Sequence, residues 1–240
     1  MCVSICLPFY NTKYEYMKEC LLSIHNQTFK QLIEIIIVND GSESKYVEPV
    51  EKLLSSLQSP NRKYTFFALP ENQGLPNALN YGIQKCNFEF IARMDSDDIM
   101  KPNRIELQYN FMIKNKKCVV VGGQCDIMDE KTKRIKYKTS HPRYVDKNYL
   151  KQNIEKINYW FINHPTVMYK KSIIIEAGCY NTDLVGHSED TYLWIQILKK
   201  GYGINNLTAT LLTYRDCPNS LSHNFKCDIR KDIKQWVQNM

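Results

Sequence analysis

The chain has 240 residues and a net charge of +7, with 43% hydrophobic and 24% charged residues. These values describe an ordinary globular protein that is long enough to bury one α/β core, and the sequence shows no internal repeat or membrane-spanning apolar run. The positive charge suits an anionic partner. The lysines are dispersed, however, and lack the aromatic–basic pattern of nucleic-acid binding, so we expect no nucleic-acid partner.

Nine cysteines are scattered along the chain without a CxxC pair, which argues against a structural zinc site. Most of them lie in apolar surroundings, where a free thiol behaves as a small hydrophobic side chain. The first segment, MCVSICLPFYN, is apolar but lacks the basic region and the cleavage site of a secretory signal. We therefore expect a reducing, cytoplasmic location without disulfide bonds.

In chain order, apolar segments rich in Ile, Val and Phe alternate with segments of helical spacing. The apolar segments predict strands at 3–8, 33–38, 64–69, 88–94 and 118–123. The helical spacing predicts helices near 14–26, 43–58, 76–86 and 103–115. Continuously apolar strands are typical of strands covered on both faces. The alternation therefore predicts an α/β fold with a Rossmann-like, doubly wound and mostly parallel sheet flanked by helices.

The pattern changes after about residue 124. Short strands at 165–169 and 209–215 mix there with helices near 146–155 and 188–200. No linker is evident, so we predict a single domain over 1–240, with a nucleotide-binding half at 1–124 and a smaller mixed region at 125–225 that supplies the rest of the site.

The last segment, 226–240, predicts an amphipathic helix. Its apolar face contains Ile229, Ile233, Trp236 and Val237, and its lysines and arginine lie elsewhere. Such a face packs against its own domain, against a second copy of the chain in a homodimer, or against a membrane surface. The sequence leaves these three partners open, including a peripheral location at a membrane.

The densest group of charges directly follows the fourth predicted strand, in the segment FIARMDSDD. Asp95 and Asp97 are two residues apart, so in extended backbone their side chains point the same way and can approach one hard cation. Mg²⁺ or Mn²⁺ is commonly held by one or two carboxylates together with substrate phosphates. Ligands of open α/β sheets bind at the carboxyl ends of the strands, where this cluster lies.

Other interpretations of the same cluster stay open on the residues alone. Acidic clusters are also found in solvated loops, and Asp98 is placed to cap the following helix. DSDDI is similar to the nucleophile motif of haloacid-dehalogenase-like phosphatases, with Asp95 as nucleophile. A calcium-binding EF-hand loop is excluded, because Ile99 and Met100 stand where it needs a ligand and a glycine.

Three further segments carry polar groups at the ends of predicted elements. VNDGS places Asp40 at a strand end, where it can accept a hydrogen bond from a base or ribose, or can simply form a turn. ENQGLPNALNYGI is a glycine-containing loop that leads into a helix. HSEDTYLWIQILKKG opens a helix with Glu189 and Asp190, which would also be favourable to the helix dipole without any chemical role.

Together these segments resemble the family 2 glycosyltransferases, which have the GT-A fold. The matching stretches, in the family's order, are SICLPFYN, EIIIVNDGS, ENQGLPNALNYGI, IARMDSDD, HPTVMYKKSIIIEAGCYN and EDTYLW. They span most of the chain. The resemblance implies an inverting, non-processive enzyme that moves one sugar from a nucleotide-diphosphate donor, with UDP-sugars favoured, to a hydroxyl of a glycan, lipid-linked or protein acceptor.

The resemblance also implies roles for residues of the first half. Pro8, Tyr10 and Asp40 would line the nucleotide pocket, with Asp40 facing the base. Asn77 and Arg93 are further candidates for the same pocket.

The metal and the chemistry fall to three carboxylates. Asp95 and Asp97 resemble the family's DxD motif, with Asp97 in direct contact with Mn²⁺ or Mg²⁺ and Asp95 also on the donor side. Asp190 corresponds to the catalytic base, which removes the proton of the acceptor hydroxyl while the cation neutralises charge on the leaving diphosphate. One displacement of this kind inverts the anomeric carbon.

Candidates for the acceptor side are Glu189, His164 and Trp194. His164 could equally be a structural hydrogen-bonding residue, and Trp194 has the spacing of a core residue. The sequence departs from the family where Cys179 replaces a second glycine and where Tyr192 replaces a second acid. The QxxRW signature of processive synthases is missing, so we expect transfer of single sugars.

Two other functions remain as alternatives. One is the haloacid-dehalogenase-like phosphohydrolase, although about ninety residues precede the cluster here, whereas such motifs usually follow the first strand. The other is a catalytically silent nucleotide- or glycan-binding protein on the same scaffold.

Overall fold

A computed structural model of the chain describes residues 2–184, 188–218 and 229–240. The strands are β1 (Val3–Phe9), β2 (Ile33–Asn39), β3 (Arg62–Ala68), β4 (Phe90–Arg93), β5 (Ile99–Met100), β6 (Val120–Asp129), β7 (Ile135–Lys138), β8 (Tyr144–Val145), β9 (Met168–Lys170) and β10 (Ile204–Asp216). The helices are α1 (Tyr14–His25), α2 (Ser44–Leu57), α3 (Leu75–Lys85), α4 (Arg104–Lys114), α5 (Lys147–Asn153), α6 (Lys171–Glu176), α7 (Glu189–Lys199) and α8 (Ile229–Gln238).

One sheet runs through both halves of the sequence, in the order β3-β2-β1-β4-β9-β6-β10-β5. The strands β3, β2, β1 and β4 are parallel, and β10 is parallel to β6. The short strand β9 is antiparallel to both β4 and β6 and joins the two parallel groups. The carboxyl ends of β1, β2, β4, β6 and β10 therefore point toward the same edge of the sheet, which we call the carboxyl edge.

The central strands are covered on both faces, as their continuous apolarity predicts. Every residue of β1 and β2 is buried. Val3, Ile5 and Leu7 pack with α1, α2 and α4 on one face of the sheet, whereas Cys6 and Val38 pack with α3 and the helices of the second half on the other. The predicted α/β fold with a mostly parallel sheet between helices is confirmed.

The differences from prediction lie in short elements. The strands β5, β7 and β8 and helix α6 contain two to six residues, too few for a periodic pattern to identify. The predicted strand 165–169 starts with a 3₁₀ turn over His164–Thr166, and β9 begins only at Met168. Pro165 explains this difference, because proline has no N–H to donate within a sheet.

Helix α8 packs its apolar side against its own domain. Ile233 and Val237 are buried beside α5 and α7, and the ring of Trp236 meets Tyr192 edge-on at 5.0 Å. The apolar face that the sequence offered to a membrane or a second copy is thus largely used within the chain. The side chain of Ile229 and residues 226–228 lie outside the described residues. Within the described ranges, no helix is long and apolar enough to span a bilayer.

A buried polar network holds the carboxyl edge to α4. Arg104 has no exposed surface, and its guanidinium donates to the carbonyl oxygens of Arg93 (2.7 Å) and Val167 (3.3 Å). Its Nε donates to Gln108 (3.0 Å), whose amide in turn donates to the carbonyl oxygen of Val121 (2.7 Å). One arginine therefore ties the end of β4 to the turn before β9, and through Gln108 to β6.

We predict that Arg104→Ala lowers the free energy of unfolding by about 3 kcal/mol, because buried carbonyl groups lose donors and a cavity forms. Urea unfolding followed by circular dichroism measures this change. The control is Arg134→Ala on an exposed side chain, for which we expect a change within about 0.5 kcal/mol. Equal effects of the two substitutions would contradict the structural role of Arg104.

Candidate active site

The loops after β1 and β2 are joined to each other at the carboxyl edge. The backbone N–H of Asn11 donates to the Ser42 hydroxyl (2.9 Å), and the N–H of Glu43 donates to the Asn11 side chain (3.0 Å). Tyr10 is 52% exposed at this edge, whereas Pro8 is buried within β1 beside Val38 of β2. Of these two predicted nucleotide-pocket residues, Tyr10 thus presents its ring to solvent and Pro8 contributes to the sheet.

Asp40 anchors the glycine-containing loop before α3. Its buried carboxylate accepts hydrogen bonds from the N–H groups of Gln73 (2.8 Å) and Gly74 (2.9 Å) and from the Asn72 amide (3.0 Å). Gly41 has φ +69°, and a Cβ there would come within 2.3 Å of the Glu71 carbonyl carbon, so only glycine allows this close approach. Asp40 therefore fixes the loop beside the predicted base pocket.

Asn77 lies in the first turns of α3, and its side-chain amide donates to the carbonyl oxygen of Gln73 (2.8 Å). This bond reinforces the same loop. Asn77 itself is only partly buried.

The acidic cluster directly follows β4, as predicted, and its three carboxylates have different surroundings. Asp95 is partly exposed and forms an ion pair with Arg93, which is itself buried. Asp97 is partly exposed, and Asp98 is buried. Asp98 does not cap α4, whose N-cap residue is Asn103; instead it accepts a hydrogen bond from the backbone N–H of Arg215 (2.8 Å).

Arg215 is a residue that the motif analysis missed. It lies near the end of β10, and its Nε donates to the carbonyl oxygen of Asp97 (2.8 Å). Its guanidinium also pairs with Glu19 and stacks on the ring of Tyr16, 4.1 Å from the ring centroid. The available signal was a lone cation at the end of the apolar segment ATLLTYR, which is unusual for a strand that is otherwise buried.

Crowding of like charges raises the pKa of two of the aspartates. Burial and the nearby charge of Asp95 raise the pKa of Asp97 to about 6. Burial, Asp97 and Asp95 also raise the pKa of Asp98 well above its usual value. The positive charges of Arg215 and Arg93 act in the opposite direction on Asp97. The Oδ2 atom of Asp98 has no hydrogen-bond partner, so the cluster has acceptor capacity that the protein itself does not fill.

This cluster suits a cation that brings other ligands with it. Among the described residues, no group of three or more His, Cys, Asp or Glu side chains is arranged to hold a metal ion. Asp97 and Asp95 are therefore a sparse donor set of hard oxygens. Such a set fits Mg²⁺ or Mn²⁺ completed by phosphate oxygens and water, rather than a metal held in a protein cage.

Asp190 lies in the first turn of α7. One of its oxygens accepts a hydrogen bond from the backbone N–H of Thr191 (2.7 Å), and the other lies 3.9 Å from Nδ1 of His164. Burial raises the pKa of Asp190, while Thr191 and the positive charge of Arg93 act to lower it. The carboxylate is still partly exposed. Asp190 is thus a partly desolvated carboxylate with one oxygen outside any short hydrogen bond in the described chain.

His164 is held as a neutral side chain beside Asp190. Its Nε2 and the hydroxyl of Tyr180 share a hydrogen bond of 2.8 Å, and burial together with the charge of Arg93 lowers its pKa well below the usual value. The approach to Asp190 is therefore a contact with a neutral imidazole and not a salt bridge at neutral pH.

Two predicted acceptor residues are buried. Trp194 is only 1% exposed, and its ring meets His164 edge-on at 5.9 Å, so it packs in the core behind His164. This corrects its assignment as an acceptor contact, because a buried ring cannot stack on an incoming sugar. Glu189 is also buried at the start of α7, which leaves the accessible carboxylate of this pair to Asp190.

Comparisons with known proteins agree with this fold. The sequence profile described as Glycosyl transferase family 2 matches residues 4–178. The amylovoran biosynthesis glycosyltransferase AmsE of Erwinia amylovora is 32% identical over 214 residues, which cover 88% of this chain and 75% of that protein. An Escherichia coli UDP-Gal:alpha-D-GlcNAc-diphosphoundecaprenol beta-1,3-galactosyltransferase is 30% identical over 205 residues, or 83% of this chain and 68% of that one.

Two solved structures share the fold at low sequence identity. TarS 1-349 of S. aureus in complex with UDP-GlcNAc has a TM-score of 0.73 at 17% identity, over 100% of this chain and 67% of that one. The mannosyltransferase PcManGT from Pyrobaculum calidifontis, in complex with GDP-Man and Mn²⁺, has a TM-score of 0.65 at 16% identity, over 89% of this chain and 56% of that one.

These matches decide between the alternatives that the sequence left open. They confirm the resemblance and the GT-A fold, and they decide against the haloacid-dehalogenase-like phosphohydrolase. The chain belongs to glycosyltransferase family 2 and is a glycosyltransferase that uses a nucleotide sugar.

Proposed function

We propose that the chain transfers one sugar from a nucleotide-diphosphate donor to a hydroxyl of a glycan-type acceptor, with inversion and with a divalent cation. One observation carries this proposal. Asp97 after β4 and Asp190 at the start of α7 are partly exposed carboxylates with raised pKa values, and both lie within the field of the buried Arg93. Two carboxylates around one fixed positive charge can serve a cation-bound donor and an acceptor hydroxyl.

On the donor side, Asp97 and Asp95 would hold Mn²⁺ or Mg²⁺. When bound, the cation neutralises charge on the leaving diphosphate. Arg215 fixes the backbone at Asp97 through its carbonyl oxygen, so the Asp97 carboxylate is held in position before any ligand arrives. The loop that Asp40 anchors, together with the exposed ring of Tyr10, would receive the nucleotide.

On the acceptor side, Asp190 would take the proton of the attacking hydroxyl. Its raised pKa makes it a stronger base than an exposed carboxylate, and among the described residues no neighbour donates a short hydrogen bond to its second oxygen, which can take the proton. The neutral His164 lies 3.9 Å away and adds no positive charge beside Asp190. Removal of the proton on the side opposite the leaving group would give a single displacement. The anomeric configuration of the product, read by NMR, tests the inversion.

The similar proteins support the choice of donor and acceptor class. TarS was solved with UDP-GlcNAc and PcManGT with GDP-Man and Mn²⁺, so a uridine or guanosine diphosphate sugar is the natural first panel. The galactosyltransferase of E. coli is named for UDP-Gal and a diphosphoundecaprenol-linked sugar, which makes a lipid-linked glycan one acceptor to include. We favour UDP-sugars as the donor.

We predict that Asp190→Asn and Asp97→Asn separate catalysis from binding. Asp190→Asn should bind UDP and Mn²⁺ as the wild type does but lose about 10²–10⁴-fold in transfer or slow donor hydrolysis, the usual contribution of a general base. Asp97→Asn should lose at least about tenfold in affinity for UDP–Mn²⁺, because one charged ligand of the cation is removed. Calorimetry and chromatography of released nucleotide measure the two effects.

Glu51→Gln removes an exposed carboxylate on α2 and is the matched control, with wild-type binding and turnover expected. Normal transfer by Asp190→Asn would show that another group acts as the base. Unchanged affinity of Asp97→Asn for UDP–Mn²⁺ would remove the cation from this cluster.

The affinity for UDP–Mn²⁺ should fall as the pH is lowered through about 6, because a proton on Asp97 must leave before the carboxylate binds a cation. An ordinary aspartate would show this step near pH 4. The measurement is calorimetry across that pH range with wild type and with Asp97→Asn. The nucleotide titrates in both experiments, so the difference between the two proteins reports the titration of Asp97. A parallel pH dependence in both proteins would contradict the assignment.

A further inference from the structure

A second concave site lies between the segment 137–142 and the segment 156–160. It is a cavity of about 390 Å³, and none of the residues assigned to donor or proton transfer lines it. Its walls carry two large aromatic side chains that solvent reaches: Tyr137 is 55% exposed and Trp160 is 47% exposed. Ligand pockets are lined mainly by hydrophobic and aromatic side chains, so these rings make the cavity a candidate binding surface.

The ring of Trp160 is fixed in place. Its Nε1–H donates to the carbonyl oxygen of Ile162 (3.0 Å), and the His141 ring packs edge-on against it, with 4.8 Å between ring centroids. Because this ring is already held in place, little conformational entropy is lost when a ligand stacks on it. The C–H face of a pyranose ring is a ligand of this kind, since it is apolar while its edge carries hydroxyl groups.

The charge of the pocket is positive. Lys138 and Lys156 line it, no acidic residue does, and neither lysine forms an ion pair with a side chain in the described ranges. Glu155, which precedes Lys156, pairs with Lys234 at 2.8 Å and leaves Lys156 uncompensated. Another cavity, of about 430 Å³ beside β7, is lined by Lys131 and Lys136 together with three acidic residues, so its charge is mixed, whereas that of the aromatic pocket is positive.

The pocket is linked to the acceptor side of the active site. His141, which lines the pocket, shares a hydrogen bond of 3.0 Å with the side chain of Asn163, and Asn163 also donates to the carbonyl oxygen of Gly123 (2.8 Å). The next residue in the chain is His164, which faces Asp190. One buried residue, Asn163, thus connects a wall of the pocket to the surroundings of the proposed base.

We propose that this pocket binds an acidic sugar residue of the acceptor glycan, with its ring on Trp160 and its carboxylate near Lys138 and Lys156. As a subsite of the acceptor the pocket rests on the proposed function, whereas its affinity for an acidic saccharide needs neither donor nor cation. An acidic ligand is also an anionic partner of the kind that the net charge of +7 suits.

Calorimetry without donor or metal tests the binding. The probes are tetragalacturonate and a hyaluronan tetrasaccharide. The methyl ester of each is the control, because it has the same sugar rings without the negative charge. We expect the acids to bind at least about threefold more tightly than their esters, and the difference to shrink as salt is raised.

The variants assign the binding to the pocket. Trp160→Ala should lower the affinity by roughly tenfold, whereas Trp160→Phe, which loses the same hydrogen bond but keeps a ring, should retain most of it. Lys138→Gln and Lys156→Gln should each cost about threefold and reduce the preference for acid over ester. Lys52→Gln, on an exposed lysine of α2, is the control and should change nothing.

The two proposals fail in different ways. If Asp190→Asn binds the acidic probes normally while losing transfer, both proposals stand. If wild type binds the probes through Trp160 but no donor yields transfer, the pocket stands and the proposed function fails. The pocket is overturned if neither acid binds at about 10 mM, if the esters bind equally well, or if Trp160→Ala leaves the affinity unchanged.

Discussion

The structure depends on how three aspartates in four residues are accommodated at the end of β4. Asp97 and Asp98 carry raised pKa values because burial and mutual repulsion disfavour their charged forms. Arg93 and Arg215 offset part of this repulsion from within the protein. The repulsion that remains favours the protonated forms of these carboxylates, and a cation bound there under the proposed function would relieve it.

Arg215 shows that the second half of the chain contributes to the acidic cluster, although the aspartates themselves lie in the first half. It comes from β10, 118 residues after Asp97, and reaches both the Asp97 carbonyl and the acid of α1, Glu19. The Arg104 network performs a similar task beneath β4. The position of the acidic segment is therefore set from several elements at once, which suits a group that must keep its geometry while its charge changes.

The surroundings of Asp190, on the proposed acceptor side, differ from those of the acidic cluster. Next to Asp190 lies the neutral His164, which packs against the buried ring of Trp194. The positive charge of Arg93 acts against the burial that raises the Asp190 pKa but does not cancel it, so this carboxylate keeps its basicity. Positive charge lies at Lys138 and Lys156 in the separate aromatic pocket, where it would attract an acidic glycan. A lysine beside Asp190 would lower its pKa and weaken it as a base, and a separate site for the positive charge avoids this effect.

Sequence patterns alone predicted the longer strands and helices and the strand ends at which polar residues cluster. Runs of apolar residues need cover on both faces, and polar residues just after such strands reach the carboxyl edge, which located Asp40 and Asp97. Only the tertiary structure decided the role of Arg215, the burial of Trp194 and the intramolecular packing of α8. These depend on contacts between segments far apart in the chain, and local periodicity carries no information about which distant surface a side chain will meet. The backbone of Cys179 was likewise not predicted. Its φ of +61° explains why glycine suits that position, whereas the sequence showed only that cysteine replaces the family's glycine.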